Sequence, residues 1–154
     1  MFHNKVMRME NQIRVGVRAL IIRGGKILLC QAKDADCYFL PGGGIHFEEG
    51  VEDALRRELK EELDVALEEA QFIGVVDNTF LDNVRKNREI SIVFSVRIGD
   101  MPIYSREPHI LFAYKEIKTF GDENVVPMEL KKAVLQWIRD KTPFWVSMNK
   151  TTIS

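Results

Sequence analysis

The stretch from Ile13 to Gln31 constrains the fold of this chain more than any other. Between Ile13 and Ile22 the residues Val15, Val17, Ala19 and Ile21 alternate with Gly16, Arg18, Leu20 and Ile22. That is the period of two of a β-strand, and both faces turn apolar toward its end. Gly24-Gly25 then interrupts two apolar runs. Glycine enters positive φ at no steric cost, so Lys26 to Gln31 is expected to return as the hairpin partner. Further sheet is expected at Phe72 to Val76 and at Ile90 to Val96, where Ile90, Ile92, Phe94 and Val96 share one face, and a short strand at Ile110 to Tyr114.

Two segments carry helical spacing instead. Pro127 suits a first helical turn, and Leu130, Ala133, Val134, Trp137 and Ile138 follow at i, i+3, i+4, i+7 and i+8, an amphipathic helix that would lie on the sheet. The other runs from about Val51 to Leu63, after the glycine-rich turn Pro41-Gly42-Gly43-Gly44. Mixed strands and two helices imply a layered fold of the α/β or α+β class. No internal repeat or linker divides the 154 residues, so one domain over residues 1–154 is expected. Folding at this length removes roughly 70% of the unfolded surface from water, enough to hold a rigid site without disulfides.

Charge and cysteine content narrow the function. Twenty-two Lys and Arg against 23 Asp and Glu leave a net charge of -1, so no global field draws the chain to nucleic acid or to an anionic membrane. Cys30 and Cys37 match neither a zinc spacing nor a redox pair, which implies a reducing, cytoplasmic setting. Met1 to Gln12 has no apolar core of a secretory leader, and no run approaches the ~18 apolar residues of a membrane helix.

The chemistry concentrates on the first helix. At about 100° per residue, Leu55, Leu59 and Leu63 form a stripe facing the core, and Glu58, Glu61 and Glu62 occupy the adjoining strip. Glu52 and Asp53 sit in the first turn, where the helix dipole favours negative charge. The other three lie in the last turns, where it opposes them. Glu58 and Glu62 are moreover a like-charge i,i+4 pair, a cost of about 0.2–0.5 kcal/mol. A solvated helix face, partly neutralised by Arg56, Arg57 and Lys60, would account for the pattern. So would a divalent cation with hard oxygen preference, and the glycine turn just upstream lets backbone approach such an ion or a phosphate closely.

Gly43, five residues, Glu49, seven residues and then Arg57-Glu58-Leu59-Lys60-Glu61-Glu62-Leu63-Asp64-Val65 resembles the Nudix box, GX5EX7REUXEEXGU. The resemblance implies an α/β/α sandwich with a mixed β-sheet. It also implies a hydrolase, a pyrophosphatase that cleaves the diphosphate linkage of a nucleoside diphosphate joined to another moiety, with a small-molecule nucleotide as partner. Carried over position by position, Glu58, Glu61 and Glu62 would be ligands of Mg²⁺ or Mn²⁺, with the Gly43 carbonyl a further ligand. Glu49 and Arg57 would form a charge pair bracing the loop against the helix, and Glu62 carries the greatest weight. Many relatives are homodimers, so a homodimer is implied as well. The departure from the box is Asp64, where the pattern has a glycine that fits a left-handed position closing the helix. Glu48 also stands where many members have glycine.

Diphosphate hydrolysis needs a base for the attacking water. Outside the helix the candidates are Glu107, at a place similar to a fourth acidic metal ligand of MutT-like members, and Glu89 at the start of the Ile90 strand. His46 and His109, the cluster Arg85, Lys86 and Arg88, and the aromatics Phe39, Phe47, Phe80 and Tyr104 are further residues that could meet a substrate, each equally explained as surface or core. Selectivity is expected from the connections Asp77 to Arg88 and Gly99 to Pro108. Two other functions fit the resemblance. One is a non-catalytic nucleotide-sensing module; the other is a prenyl diphosphate isomerase, which the full box and the position of Cys37 disfavour.

Overall fold

The hairpin forms as its sequence requires. Gly24 and Gly25 both take positive φ, 54° and 75°, the conformation of a tight hairpin turn between β1 (Ile13–Arg23) and β2 (Lys26–Ala32). The structure, a computed structural model, describes residues 12–82, 85–100 and 102–147. Residues 1–11, nearly all of the stretch read above for a leader, lie outside that range, as does the side chain of Arg85. After β2 come β3 (Gly42–Gly44), α1 (Val51–Leu63), β4 (Leu67–Asp82), β5 (Arg85–Ile98) and β6 (Ile110–Glu116). A 3₁₀ helix (Ile117–Asp122), α2 (Met128–Asp140) and β7 (Phe144–Ser147) complete the order.

The strands make one mixed sheet in the order β6-β2-β1-β5-β4-β7, with β3 on β1. β1 runs parallel to β5, and β4 parallel to β7; the other pairings are antiparallel. β1 meets β2 only next to the turn, at Ile22 with Ile27 and Arg23 with Lys26. Further along it splays away, and β3 takes that edge, with Gly16, Val17 and Arg18 opposite Gly44, Gly43 and Gly42. The glycine turn expected from sequence is therefore a strand. Steric demand explains why only glycine serves: a Cβ on Gly42 (φ 139°) would stand 2.0 Å from the Val17 carbonyl oxygen.

Both faces of β1 are covered, which is why both became apolar. On one face α1 packs Ala54, Leu55, Leu59 and Leu63 against Val17, Ala19, Ile21, Phe94 and Val96. On the other, α2 packs Leu130, Val134 and Trp137 with Phe120 against Leu20, Leu29, Ile73 and Val93. The result is the α/β/α sandwich with a mixed sheet. Among the described residues no helix is long and apolar enough to cross a membrane.

Three local expectations are corrected. Pro127 precedes α2 as its cap residue, with extended ψ of 146°, instead of occupying the first turn. β4 and β5 reach 16 and 14 residues, because they pair from Leu67 with Ile98 out to Asp82 with Arg85. Most of Asp77 to Arg88 is thus ladder and not a free specificity loop. Within it Arg88 is held by buried Asp77, at 2.7 and 2.9 Å, while Lys86 is exposed.

Candidate active site

α1 and β3 bring the box residues together. Arg57 is the hub: its guanidinium donates to Glu49 from Nη2 (2.6 Å) and Nε (3.0 Å), to the Gly44 carbonyl (2.9 Å), to Glu58 Oε1 (2.8 Å) and to Glu61 Oε2 (3.3 Å). Glu49 also accepts the His46 backbone N–H at 2.9 Å. These bonds hold the Glu49 carboxyl down at about 2, Arg57 foremost. Glu49 and Arg57 therefore tie the loop before α1 to the middle of the helix.

The three helix carboxylates sit in graded surroundings. Glu61 is exposed, Glu58 is half-buried against Gly43, and Glu62 is 8% exposed. A Cβ at Gly43 would lie 2.4 Å from Glu58 Oε1, so the glycine leaves room for that carboxylate. Glu62 Oε2 accepts the Gly42 N–H at 3.1 Å. Burial pushes the Glu62 carboxyl up to about 7 against the pull of that N–H; the charges of Glu58 and Glu107 add to the rise, and Arg18 opposes it. Burial and the anionic neighbours outweigh Arg18 here, so the charge on Glu62 is disfavoured.

The opposite wall comes from β1 and β5. Arg18 donates to Glu89 Oε1 at 2.9 Å and to the Gly42 carbonyl at 3.3 Å, and Ser91 Oγ donates to the same Glu89 oxygen at 2.7 Å. Burial would raise the Glu89 carboxyl, but Arg18 and Ser91 hold it below its ordinary range. Gly16 lets these groups close up, since its Cβ would lie 3.0 Å from the Gly43 carbonyl oxygen and 3.4 Å from Glu89 Oε1. Beyond them lies a cavity of about 480 Å³, lined by Arg18 and Glu89 together with Phe39, Asn78, Phe80 and Val126. Glu107 arrives on the loop before β6, whose Arg106 N–H donates to the Glu62 carbonyl at 3.0 Å.

Other sequence candidates fall elsewhere. The His46 ring is exposed, and Phe47 and Tyr104 are exposed away from the cavity. His109 is exposed and offers its carbonyl to Lys33 N–H at 2.9 Å. Burial, with the Glu62 charge next, pushes the Cys30 thiol up, so it stays protonated. Arg18, Ser91 and Asn78 were not singled out from sequence. Arg18 did leave a signal, as the one charged residue inside the apolar alternation from Val15 to Ile22.

Comparison with known proteins decides the family. The NUDIX domain model matches residues 12–139. The chain belongs to the Nudix family. Among curated relatives, the nucleoside triphosphatase NudI of Escherichia coli is 30% identical over 138 residues, covering 83% of this chain and 96% of that protein. Among Nudix structures, a MutT hydrolase from Burkholderia pseudomallei is 31% identical, with TM-score 0.65, covering 82% of this chain and 98% of that one. A MutT protein from Bacillus halodurans, at 14% identity and TM-score 0.73 over 87% and 88%, shares the fold. Nudix membership makes the chain a pyrophosphohydrolase, an enzyme of the class that hydrolyses nucleoside diphosphate derivatives.

Proposed function

We propose that this chain, acting as one domain over residues 1–154 in a reducing cytoplasm, is a divalent-metal-dependent hydrolase of a small nucleotide, cleaving its diphosphate linkage. The observation that carries the reading is the nearly buried Glu62, 8% exposed and bonded to Gly42 N–H, with the charges of Glu58 and Glu107 raising its proton affinity. The donor set is hard oxygen throughout, which suits Mg²⁺ or Mn²⁺ and not a soft metal. Gly43 leaves the cradle that a side chain would fill. Among the described residues no three acidic, histidine or cysteine side chains converge on one point, and Arg57 engages Glu58 and Glu61. Glu58, Glu61 and Glu62, with the Gly43 carbonyl, would hold the cation once those two glutamates turn from Arg57 toward Glu62.

When bound, such an ion supplies charge neutralisation on the phosphate oxygens and acidifies a water. The chain's own groups do the rest. Arg18, fixed by Glu89 and the Gly42 carbonyl, stands between the carboxylates and the cavity, where it can pair with a phosphate. Phe39 and Phe80 line that cavity beside Asn78, an amide able to both donate to and accept from a base. Attack of water on phosphorus breaks the phosphoanhydride bond, and the water's proton passes to a carboxylate. Glu107 is the better acceptor, because Arg18 and Ser91 both bond to Glu89 and hold its carboxyl below the ordinary range, which weakens it as a base.

The test is incubation of the purified protein with Mg²⁺ and a panel of ADP-ribose, diadenosine polyphosphates, nucleotide sugars and nucleoside triphosphates, with products resolved by mass. The triphosphates earn their place from the NudI relatives. Turnover of at least one compound, abolished by a chelator and restored by Mg²⁺ or Mn²⁺, is expected. Tight nucleotide binding with no product from any compound would replace the hydrolase with the sensing module.

A further inference from the structure

Asp64 departs from the box glycine, and its surroundings give the departure a purpose. The residue closes α1 in the left-handed conformation, φ 55° and ψ 36°, with its N–H returned to the Lys60 carbonyl at 3.1 Å. Glycine would adopt that backbone more easily. What glycine lacks is the carboxylate, whose two oxygens are divided between partners. One oxygen pairs with Lys60 on the preceding turn of the helix, and the other with the Arg106 guanidinium, 42 residues further along the chain.

Arg106 is thereby held to the helix end at two points. Its side chain meets Asp64, and its backbone N–H donates to the Glu62 carbonyl at 3.0 Å. Glu107 is the next residue. Around it the loop is folded tightly: Ser105 Oγ lies 2.6 Å from the Ile110 carbonyl and 2.8 Å from the Glu107 carbonyl, its one proton shared between them, and Ile110 N–H donates to the Glu107 carbonyl at 3.2 Å. Among the described residues the polar ties from this segment to the end of α1 are those of Arg106 with Asp64 and with the Glu62 carbonyl, and Ile103 adds an apolar contact with the core beneath the helix. The pair is largely exposed, so its contribution to global stability is small and its effect is geometric.

We propose that Asp64 is a positioning residue: by gripping Arg106 it sets the place of Glu107 beside Glu62, and the rate of the chemical step depends on it while substrate affinity does not. The statement about rate rests on the hydrolase reading above; the statement about the loop does not. Asp64→Gly keeps a residue suited to the left-handed cap and removes the carboxylate that holds Arg106 and Lys60, whereas Arg106→Gln breaks the grip and leaves the Lys60 pair in place. Amide hydrogen exchange of the segment 102–110 should quicken in Asp64→Gly and in Arg106→Gln, with the exchange of α1 up to Leu59 unchanged.

In turnover, each of the two variants should lose about tenfold in kcat with KM within about twofold, and the double variant should be no worse than either alone. Combined with Glu107→Gln, Asp64→Gly should add no further loss. Loop exchange equal to wild type in both variants would overturn the grip. Unchanged kcat in Asp64→Gly, or a loss that persists in full in the Glu107→Gln background, would overturn the positioning role. If the wild type turns over no compound of the panel, the hydrolase reading fails and takes the claim about rate with it, while the exchange result still decides the grip.

Discussion

Among the residues, Glu62 and Glu49 illustrate two opposite ways of treating an acid. Glu62 is buried with one N–H partner and anionic neighbours, so its charge is disfavoured until a cation is present. Glu62→Gln retains an oxygen for Gly42 N–H and removes the charge. Turnover should fall by at least about 100-fold, with circular dichroism and melting temperature unchanged; undiminished Mg²⁺-dependent turnover in the folded variant would remove Glu62 from the site. Glu49 is held near 2 by Arg57 and the His46 N–H, against 4.5 ordinarily. Because its folded value is depressed, the stability it contributes is complete above about pH 4.5 and drains away as pH falls toward 2. Thermal melts between pH 2.5 and 6 should therefore slope less steeply for Glu49→Gln than for wild type. For Glu107→Gln, kcat should drop more than Mn²⁺ affinity, read by isothermal titration; equal losses would make it a ligand and not the base.

At the level of elements, β3 and α1 carry adjacent glycines with different jobs. A Cβ at Gly42 meets the Val17 backbone at 2.0 Å, and φ 139° is foreign to other residues. A Cβ at Gly43 meets the end of the Glu58 side chain, which can move. Gly42→Ala should destabilise by roughly 1–3 kcal/mol, seen as a lower denaturant midpoint. Gly43→Ala should melt near wild type yet lose most of its turnover, because Glu58 is displaced. Leu59, fully buried under α1, should cost about 2–5 kcal/mol on truncation to Ala. Elements whose signal is local were legible in sequence: the hairpin glycines, the 51–63 helix and the Leu130 to Ile138 face all stand where their spacing puts them. β7 was not, because four residues carry too little periodicity to separate from a loop. β3 was misread as a turn for a related reason, since three glycines signal freedom of backbone and say nothing of the edge that β1 leaves open.

For the molecule as a whole, the sheet is the device that joins distant residues. The parallel pairing of β1 with β5 sets Gly16 opposite Ser91 and Arg14 opposite Glu89, which places Arg18, Glu89 and Ser91 on one wall. No sequence spacing announces a pairing between residues 71 or more apart, so the box, compressed into 23 residues, is legible while Ser91 is not, and Arg18 shows only as a charge out of place in an apolar strand. The box lies on the face covered by α1, and the cavity opens toward α2, where Leu130 and Val126 form its floor. Arg18 links the two. The central claim is that the α1 carboxylates gather a divalent ion. Crystals grown with Mn²⁺ should show an anomalous peak bounded by Glu58, Glu61, Glu62 and the Gly43 carbonyl, with Glu58 and Glu61 turned away from Arg57. No peak there, with both glutamates still paired to Arg57, would contradict it.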